Sequence, residues 1–275
     1  MAAKSTTSIA PTLLRNQQYF GTFSTMLYNW PIFAACLGFG AVALVVSTVL
    51  APPWSILLAV AGGLALLLLL TILIGSFVAY DWGRKREYHR LVELADAKNA
   101  NVVIDITAGK LRGTRGLLQQ IEGGHYFVVD IFDSEKMTDT ALRRARQMEP
   151  PLDTDRRIYR RAAKPGSLPI PHNWADVVYC SFSLHELQSA EDRAAIFAEF
   201  ARVLKPGGKL LIAEHSRDWL NTLAFGPGVL SFLPASTWKS CLDAASFTVT
   251  HHERWRGLVH LWVAEKSKDA ARRRG

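Results

Sequence analysis

Acids, glycines and imidazoles recur in this chain at the ends of short apolar runs. Asn101–Asp105 ends in a carboxylate, and Gly109 and Gly113 follow, where bare backbone lets a ligand approach closely. Tyr126–Asp130 ends in a second carboxylate, whose two oxygens can accept both hydroxyls of a ribose diol. Ala175–Ser181 ends in small polar residues and leads into Leu184, His185 and Glu186. Gly208–Glu214 ends beside His215. Imidazoles and carboxylates are groups that carry protons in catalysis. Plainer readings compete at every position: an ordinary strand-to-helix turn at Gly109, an N-cap or surface acid at Asp130, a helix cap at His185, loop packing at His215. Neither G-x-G-x-x-G nor G-x-x-x-x-G-K-[ST] occurs, which argues against a nicotinamide-dependent oxidoreductase and a phosphate-loop enzyme. The three cysteines, Cys36, Cys180 and Cys241, lack the spacing of a zinc site, so no metal is expected, and no disulfide framework either.

The elements that must position these groups alternate. Strands are expected at the four runs above, and further ones at Arg157–Arg161, Ser246–His251 and Val259–Glu265. Ser134–Met148 reads as a helix with Ser134 as its N-cap, and Ser189–Leu204 as another with Ala195, Phe197, Phe200 and Val203 inward. Pro206, Gly207 and Gly208 make a tight turn before the next strand. Such alternation predicts an α/β fold, a parallel sheet with helices on both faces, and ligands bind such sheets at the carboxyl ends of the strands.

The order of these motifs resembles that of class I S-adenosylmethionine-dependent methyltransferases over roughly residues 88–265. The carriers are the Asp105 turn, the Val129-Asp130-Ile131 strand end followed by Glu135 and Met137, Leu168–Pro171, the Asp176–Ser181 strand, and Leu204–Gly208 before a strand. The resemblance implies a Rossmann-like seven-stranded sheet and S-adenosylmethionine as cofactor, held by Asp105, Thr107, Gly109, Asp130, Ile131 and Ser181. It implies methyl transfer, with His185, Glu186 and His215 on the catalytic edge, His185 foremost as base or hydrogen-bonding group. The family's first turn is acid-x-Gly-x-Gly-x-Gly, whereas the positions here are Asp105, Thr107, Gly109 and Leu111. Leu111 thus brings a side chain where the family keeps backbone bare, and the turn is expected to be rebuilt around Gly113. That departure sustains a rival reading, a non-catalytic Rossmann-like interaction module with a degenerate cofactor site.

What lies ahead of these motifs is of another kind. Residues 16–80 contain no Asp, Glu, Lys or Arg. Two apolar runs, Ile32–Leu50 and Trp54–Tyr80, flank Ala51-Pro52-Pro53. A bilayer core needs about 20 apolar helical residues, so both runs are expected to cross one. Lys4 and Arg15 precede the first, and Arg84, Lys85, Arg86 and Arg90 follow the second, which places both termini in the cytoplasm. Leu13, Phe20, Phe23, Leu27 and Trp30 fall on one helical face, either an interfacial helix or a continuation of the first span broken at Pro31. The expected organisation is an N-terminal segment 1–31, a two-span hairpin 32–80, an α/β domain 81–265 and a basic tail 266–275. The net charge of +8 includes a cluster at 84–90 that suits anionic lipid head groups or is a solvated face. No specific nucleic-acid partner is expected, and the oligomeric state is open.

After Glu214 comes an uncharged segment, Trp219–Pro234, bent at Gly226–Gly228. It is either an apolar lid for an amphiphilic acceptor, with Asp218, Trp219 and Phe225 touching that substrate, or a core helix with its connecting loop. Taken together, these features predict a membrane-anchored methyltransferase acting on a lipid-like acceptor.

Overall fold

β-Branched and aromatic runs flanked by turn residues form the centre of a sheet in the computed structural model, which describes residues 20–121, 124–149, 152 and 156–267. The strands are β1 (Val102–Thr107), β2 (His125–Asp130), β3 (Ile158–Ala162), β4 (Ala175–Ser181), β5 (Leu204–His215), β6 (Phe247–Trp255) and β7 (Val259–Lys266). They lie in the order β3-β2-β1-β4-β5-β7-β6, parallel except for β7, which runs antiparallel to both neighbours. All six residues of β1 are buried, as expected of a central parallel strand covered on both faces, whereas β6 alternates exposed and half-buried positions after Phe247, as a sheet edge does. The strand order reverses between β1 and β4, so the carboxyl ends of these two flank the crevice where ligands bind.

The chain divides into two compact units: Met1–Trp82 with Thr140–Pro151, and Gly83–Asp139 with Leu152–Gly275. In the first, α1 (Phe20–Tyr28) precedes α2 (Trp30–Ser47), α3 (Trp54–Ser76) and a π-helical turn Phe77–Asp81. Helices α2 and α3, the latter continued by the π turn, are long and apolar enough to cross a membrane. They pair closely at Gly40 and Gly62: a Cβ on Gly62 would lie 3.0 Å from the Gly40 carbonyl oxygen, so only small residues permit the approach. Of the two readings of residues 13–30, the described part is a helix separate from α2, broken at Asn29, with Pro31 in the first turn of α2; residues 13–19 lie outside the described residues. Asp81, the first acid of the chain, caps α1 from a distance, accepting from the Gly21 and Thr22 amides at 2.8 and 2.7 Å.

In the second unit, α4 (Arg84–Leu94) leads to β1 and α5 (Arg112–Leu118) follows it. Helices α7 (Ala190–Val203), α8 (Trp219–Phe225) and α9 (Ala235–Ala244) follow later in the chain. Three sequence expectations are corrected. The helix expected from Ser134 starts at Thr140 instead, as α6 (Thr140–Met148), and it belongs to the first unit. Asp130 and Asp133 close side-chain turns instead: Phe132 N donates to Asp130 Oδ1 at 3.1 Å and Glu135 N to Asp133 Oδ1 at 2.9 Å. The pattern of residues Asp81–Ala97 predicts one helix running off the membrane, whereas the structure interrupts it at Trp82 and Gly83, the latter at φ +68°, and starts α4 at Arg84. On α7 the inward residues are Ile196, Phe197, Phe200 and Val203, so Ile196 takes the place assigned to Ala195.

Candidate active site

The turn after β1 is organised by Thr107. Its hydroxyl accepts from the Gly109 amide at 2.9 Å and donates to the Lys110 carbonyl at 3.0 Å. Gly109 sits at φ +96°, a conformation side chains resist, so the backbone there is bare by necessity. Leu111 does not intrude on the ligand space as its position suggested. It is buried in the core, 1 % exposed. Gly113 has a different task from rebuilding the turn: a Cβ there would lie 2.5 Å from Ser181 Cβ, so glycine lets α5 close onto β4. Ser181 thus stands between β4 and the first turn of α5, mostly buried.

Asp105 lies two residues before the end of β1, and its carboxylate accepts a hydrogen bond from Thr114 of α5. Burial raises its carboxyl to about 7 despite that bond. Asp130 ends β2, half-buried, and Ile131 N returns to the Thr107 carbonyl at 2.8 Å, which brings the two strand ends together. These residues fit a nucleoside cofactor: a bare turn at Gly109 beside a half-buried carboxylate at Asp130, on the crevice side of the sheet.

Past β4 and β5 a chain of charges is buried. Phe182 turns the backbone at φ +50°, rare for a bulky residue, and its amide bonds Ala213 O at 2.9 Å. The fully buried Glu214 then receives this turn: its Oε1 accepts from the Ser183 and Leu184 amides at 2.8 and 2.7 Å, and its Oε2 from His185 Nδ1 at 2.7 Å. His185 Nε2 lies 3.4 Å from Glu186 Oε1, which pairs at 3.1 Å with Lys110 of the β1 turn. Burial is the strongest influence on the His185 imidazole and acts against its charge. The Glu214 and Glu186 carboxylates outweigh it and lift the group to about 9. Burial likewise presses the Glu186 carboxyl upward, but Lys110 and His185 hold it well below the usual carboxylate range. At neutral pH His185 is therefore an imidazolium, a donor rather than a base.

His215 is its opposite. It is buried among aromatic rings, stacked on Phe232 at 4.7 Å, with Phe182 at 4.8 Å and Phe225 edge-on at 5.0 Å. Its Nδ1 donates to Leu258 O at 3.0 Å, and burial pushes the imidazole down to about 3, so it is neutral. The His185 ring also meets Phe232, edge-on at 5.8 Å. A cation and a neutral imidazole thus share one aromatic wall.

The remaining expected site residues are placed differently from one another. Phe225 belongs to that wall. Asp218 is the N-cap of α8, accepting from Asn221 N at 3.0 Å and pairing with Arg254, and it contacts His260 at 3.6 Å. Burial acts upward on its carboxyl, and the Asn221 and Arg254 bonds outweigh this, leaving it below its usual value. Trp219, at the start of α8, is 70 % exposed. Sequence reasoning gave no role to Lys110 or Phe182, which are brought in by the fold; Phe232 lies in the apolar 219–234 segment read as a lid, and Glu214 carried a readable signal, an acid ending a buried strand.

Within the fold and crevice so described, known proteins give the class. A family model described as a methyltransferase domain matches residues 104–212, from β1 into β5. The ubiquinone/menaquinone biosynthesis C-methyltransferase UbiE of Stutzerimonas stutzeri (strain A1501) is 32% identical over 208 residues, 63% of this chain and 77% of that protein. The protein of the same name from Azotobacter vinelandii (strain DJ / ATCC BAA-1303) is 31% identical over 135 residues, 47% of this chain and 50% of its own length. The crystal structure of a SAM-dependent methyltransferase from Aquifex aeolicus superposes with a TM-score of 0.51 at 17% identity, covering 66% of this chain and 89% of that one. The chain belongs to the class I S-adenosylmethionine-dependent methyltransferases, and S-adenosylmethionine is its cofactor. The reading as a non-catalytic module is set aside accordingly.

Proposed function

We propose that the methyl acceptor is a lipid-like molecule met at the cytoplasmic face of the membrane crossed by α2 and α3, and that the favoured acceptor is the ring of a prenylated quinol. The observation that carries this reading is the coincidence of two uncharged membrane-length helices with an acceptor edge walled by Phe182, Phe225 and Phe232. The flanking Lys and Arg residues support cytoplasmic termini. The names of the relatives support a quinol and a carbon acceptor atom.

S-adenosylmethionine supplies an electrophilic methyl group when bound. In this reading Asp130 would accept from the ribose diol, and the Thr107–Gly109 turn, with Gly109 bare at φ +96°, would offer close backbone contact. An aromatic ring carbon becomes nucleophilic when a ring hydroxyl ionises. The His185 imidazolium, held by Glu214, can stabilise that oxyanion by donating from Nε2 in place of its 3.4 Å contact with Glu186. The hydroxyl proton passes to solvent before transfer; after it the methylated ring carbon gives up its proton to solvent as the ring rearomatises and the product oxygen is reprotonated. One proton is thus released for each methyl transferred, alongside the cofactor's neutral thioether. The aromatic wall excludes water and orients the ring, which is the main demand of an in-line displacement.

The test is incubation of membranes containing the protein with methyl-labelled cofactor, followed by separation of lipid, protein and nucleic acid. Label should enter the lipid fraction in a protein-dependent manner. Label confined to protein or nucleic acid would overturn the proposal.

A further inference from the structure

The segment after β5 has two faces. Phe225, Val229 and Phe232 are buried, and the two phenylalanines close on His215. Trp219, Leu223 and Leu230 are instead 70 %, 63 % and 67 % exposed. Among the described residues from Gly83 onward, the one other exposed large apolar side chain is Tyr159, at 38 %. Residues 219–234 carry no charge, and the exposed Arg217 borders them, its guanidinium bonded to the Phe232 and Leu230 carbonyls at 2.9 and 2.7 Å. One exposed Trp and two exposed Leu within twelve residues, beside a cation, make a surface of the kind that a membrane interface accepts.

The route by which the chain enters this unit identifies the occupant. Gly83 lies against the Arg256 guanidinium, so closely that a Cβ would stand 2.2 Å from it. Arg256 belongs to the turn between β6 and β7, where a Cβ on the next residue, Gly257, would be 3.2 Å from Leu220 of α8. The same turn supplies the Leu258 carbonyl to His215. The unit's first residue, the turn and α8 therefore share one corner, at the carboxyl end of β5. Gly83 follows by two residues the end of the second candidate span at Asp81, and two residues reach about 7 Å at most.

We propose that Trp219, Leu223 and Leu230 form a docking face that lies in the head-group layer of the bilayer crossed by α2 and α3, with Arg217 toward anionic phosphates. The other side of the same segment walls the acceptor site, so docking sets that wall against the lipid from which the acceptor comes. This rests on the membrane reading above and adds to it which face meets the lipid.

The full chain is reconstituted in phosphatidylcholine vesicles containing phosphatidylglycerol. Leu223→Cys, made with Cys36→Ser and Cys241→Ser, carries an environment-sensitive fluorophore. Arg160→Cys, exposed on β3 at the opposite sheet edge, is the control. Spin-labelled lipids should quench the label at 223 at least threefold more than the label at 160. Equal quenching overturns the proposal. Leu223→Gln with Leu230→Gln should lower methylation of a vesicle-embedded acceptor about tenfold, leaving cofactor binding and a truncated, water-soluble acceptor unaffected. If the double variant instead reduces the mass of the detergent-solubilised particle, the face is a contact between copies and the proposal falls. Strong quenching at 223 with no label transferred to any lipid would sustain docking while sinking the lipid acceptor, so the two readings fail separately.

Discussion

His185 shows how neighbours, rather than residue type, decide a role. An isolated histidine near pKa 6.5 would serve as a base. Burial alone would make it a weaker one, yet Glu214 and Glu186 lift it to about 9. Because the folded value is raised, the stabilisation it gives is complete below the unfolded pKa of about 6.5 and is lost as pH rises through about 9. If the imidazolium assists the acceptor, methyl transfer holds to about pH 9 and declines above it. Glu214→Gln should move that decline down by about one unit or more, the usual effect of removing an opposite charge in contact; a pH-rate profile that keeps its limb would remove the pair from the chemistry. Asp105 gives a second prediction with the same sign of pH slope, in a lower range. Its carboxyl, raised from 3.8 to about 7, favours the folded state at low pH and weighs against it as pH rises from about 4 to 7. At about 1.36 kcal/mol per unit the effect is at most about 4 kcal/mol. Asp105→Asn should therefore flatten the fall in thermal stability across that range, measured as melting temperature against pH, with cofactor absent.

At the scale of elements, α5 and its turn matter most. Gly113→Ala should force α5 off β4, because Ser181 Cβ is fixed by the strand and cannot yield. Overpacking of this kind costs about 1–3 kcal/mol. The displaced α5 also drags the 107–111 turn, so the affinity for S-adenosylmethionine should fall severalfold by calorimetry; unchanged affinity would show the turn to be independent of α5. Elements with strong local signals were legible: β4 spans Ala175–Ser181 as its apolar run predicts, and Ser189 caps α7, accepting from Asp192 N. The helix expected at Ser134 was not: the Asp130 and Asp133 side chains close local turns there, an alternative to helix that short polar residues offer. Leu111 misled for a related reason: its spacing fitted a ligand turn, and only the path of the chain turned its side chain inward.

At the scale of the molecule, charge and hydropathy separate a 65-residue uncharged stretch from an ordinary α/β domain. If α2 and α3 span the bilayer, the protein should stay with membranes through an alkaline carbonate wash, and reporters fused to either terminus should both read as cytoplasmic. Extraction by carbonate would assign the two helices to a soluble assembly. The two-unit division holds one feature that local patterning could not give. Helix α6 follows β2 in sequence, yet it clusters with α1 of the first unit, where Arg144 bonds the Tyr28 carbonyl. Periodicity states that α6 has a buried face, with Leu142 and Ala145; it does not state against what.

The sequence by itself determined the α/β alternation, the family, the cofactor and the two apolar helices, because each is written in short-range patterns of period, turn chemistry and charge. The charge state of each histidine was decided only by tertiary structure. His185 and Glu214 are separated by 29 residues, and Lys110 and Glu186 by 76. Their contacts raise one imidazole, while burial among Phe182, Phe225 and Phe232 lowers the other. Electrostatics in a site of low dielectric depends on distances that a sequence does not contain.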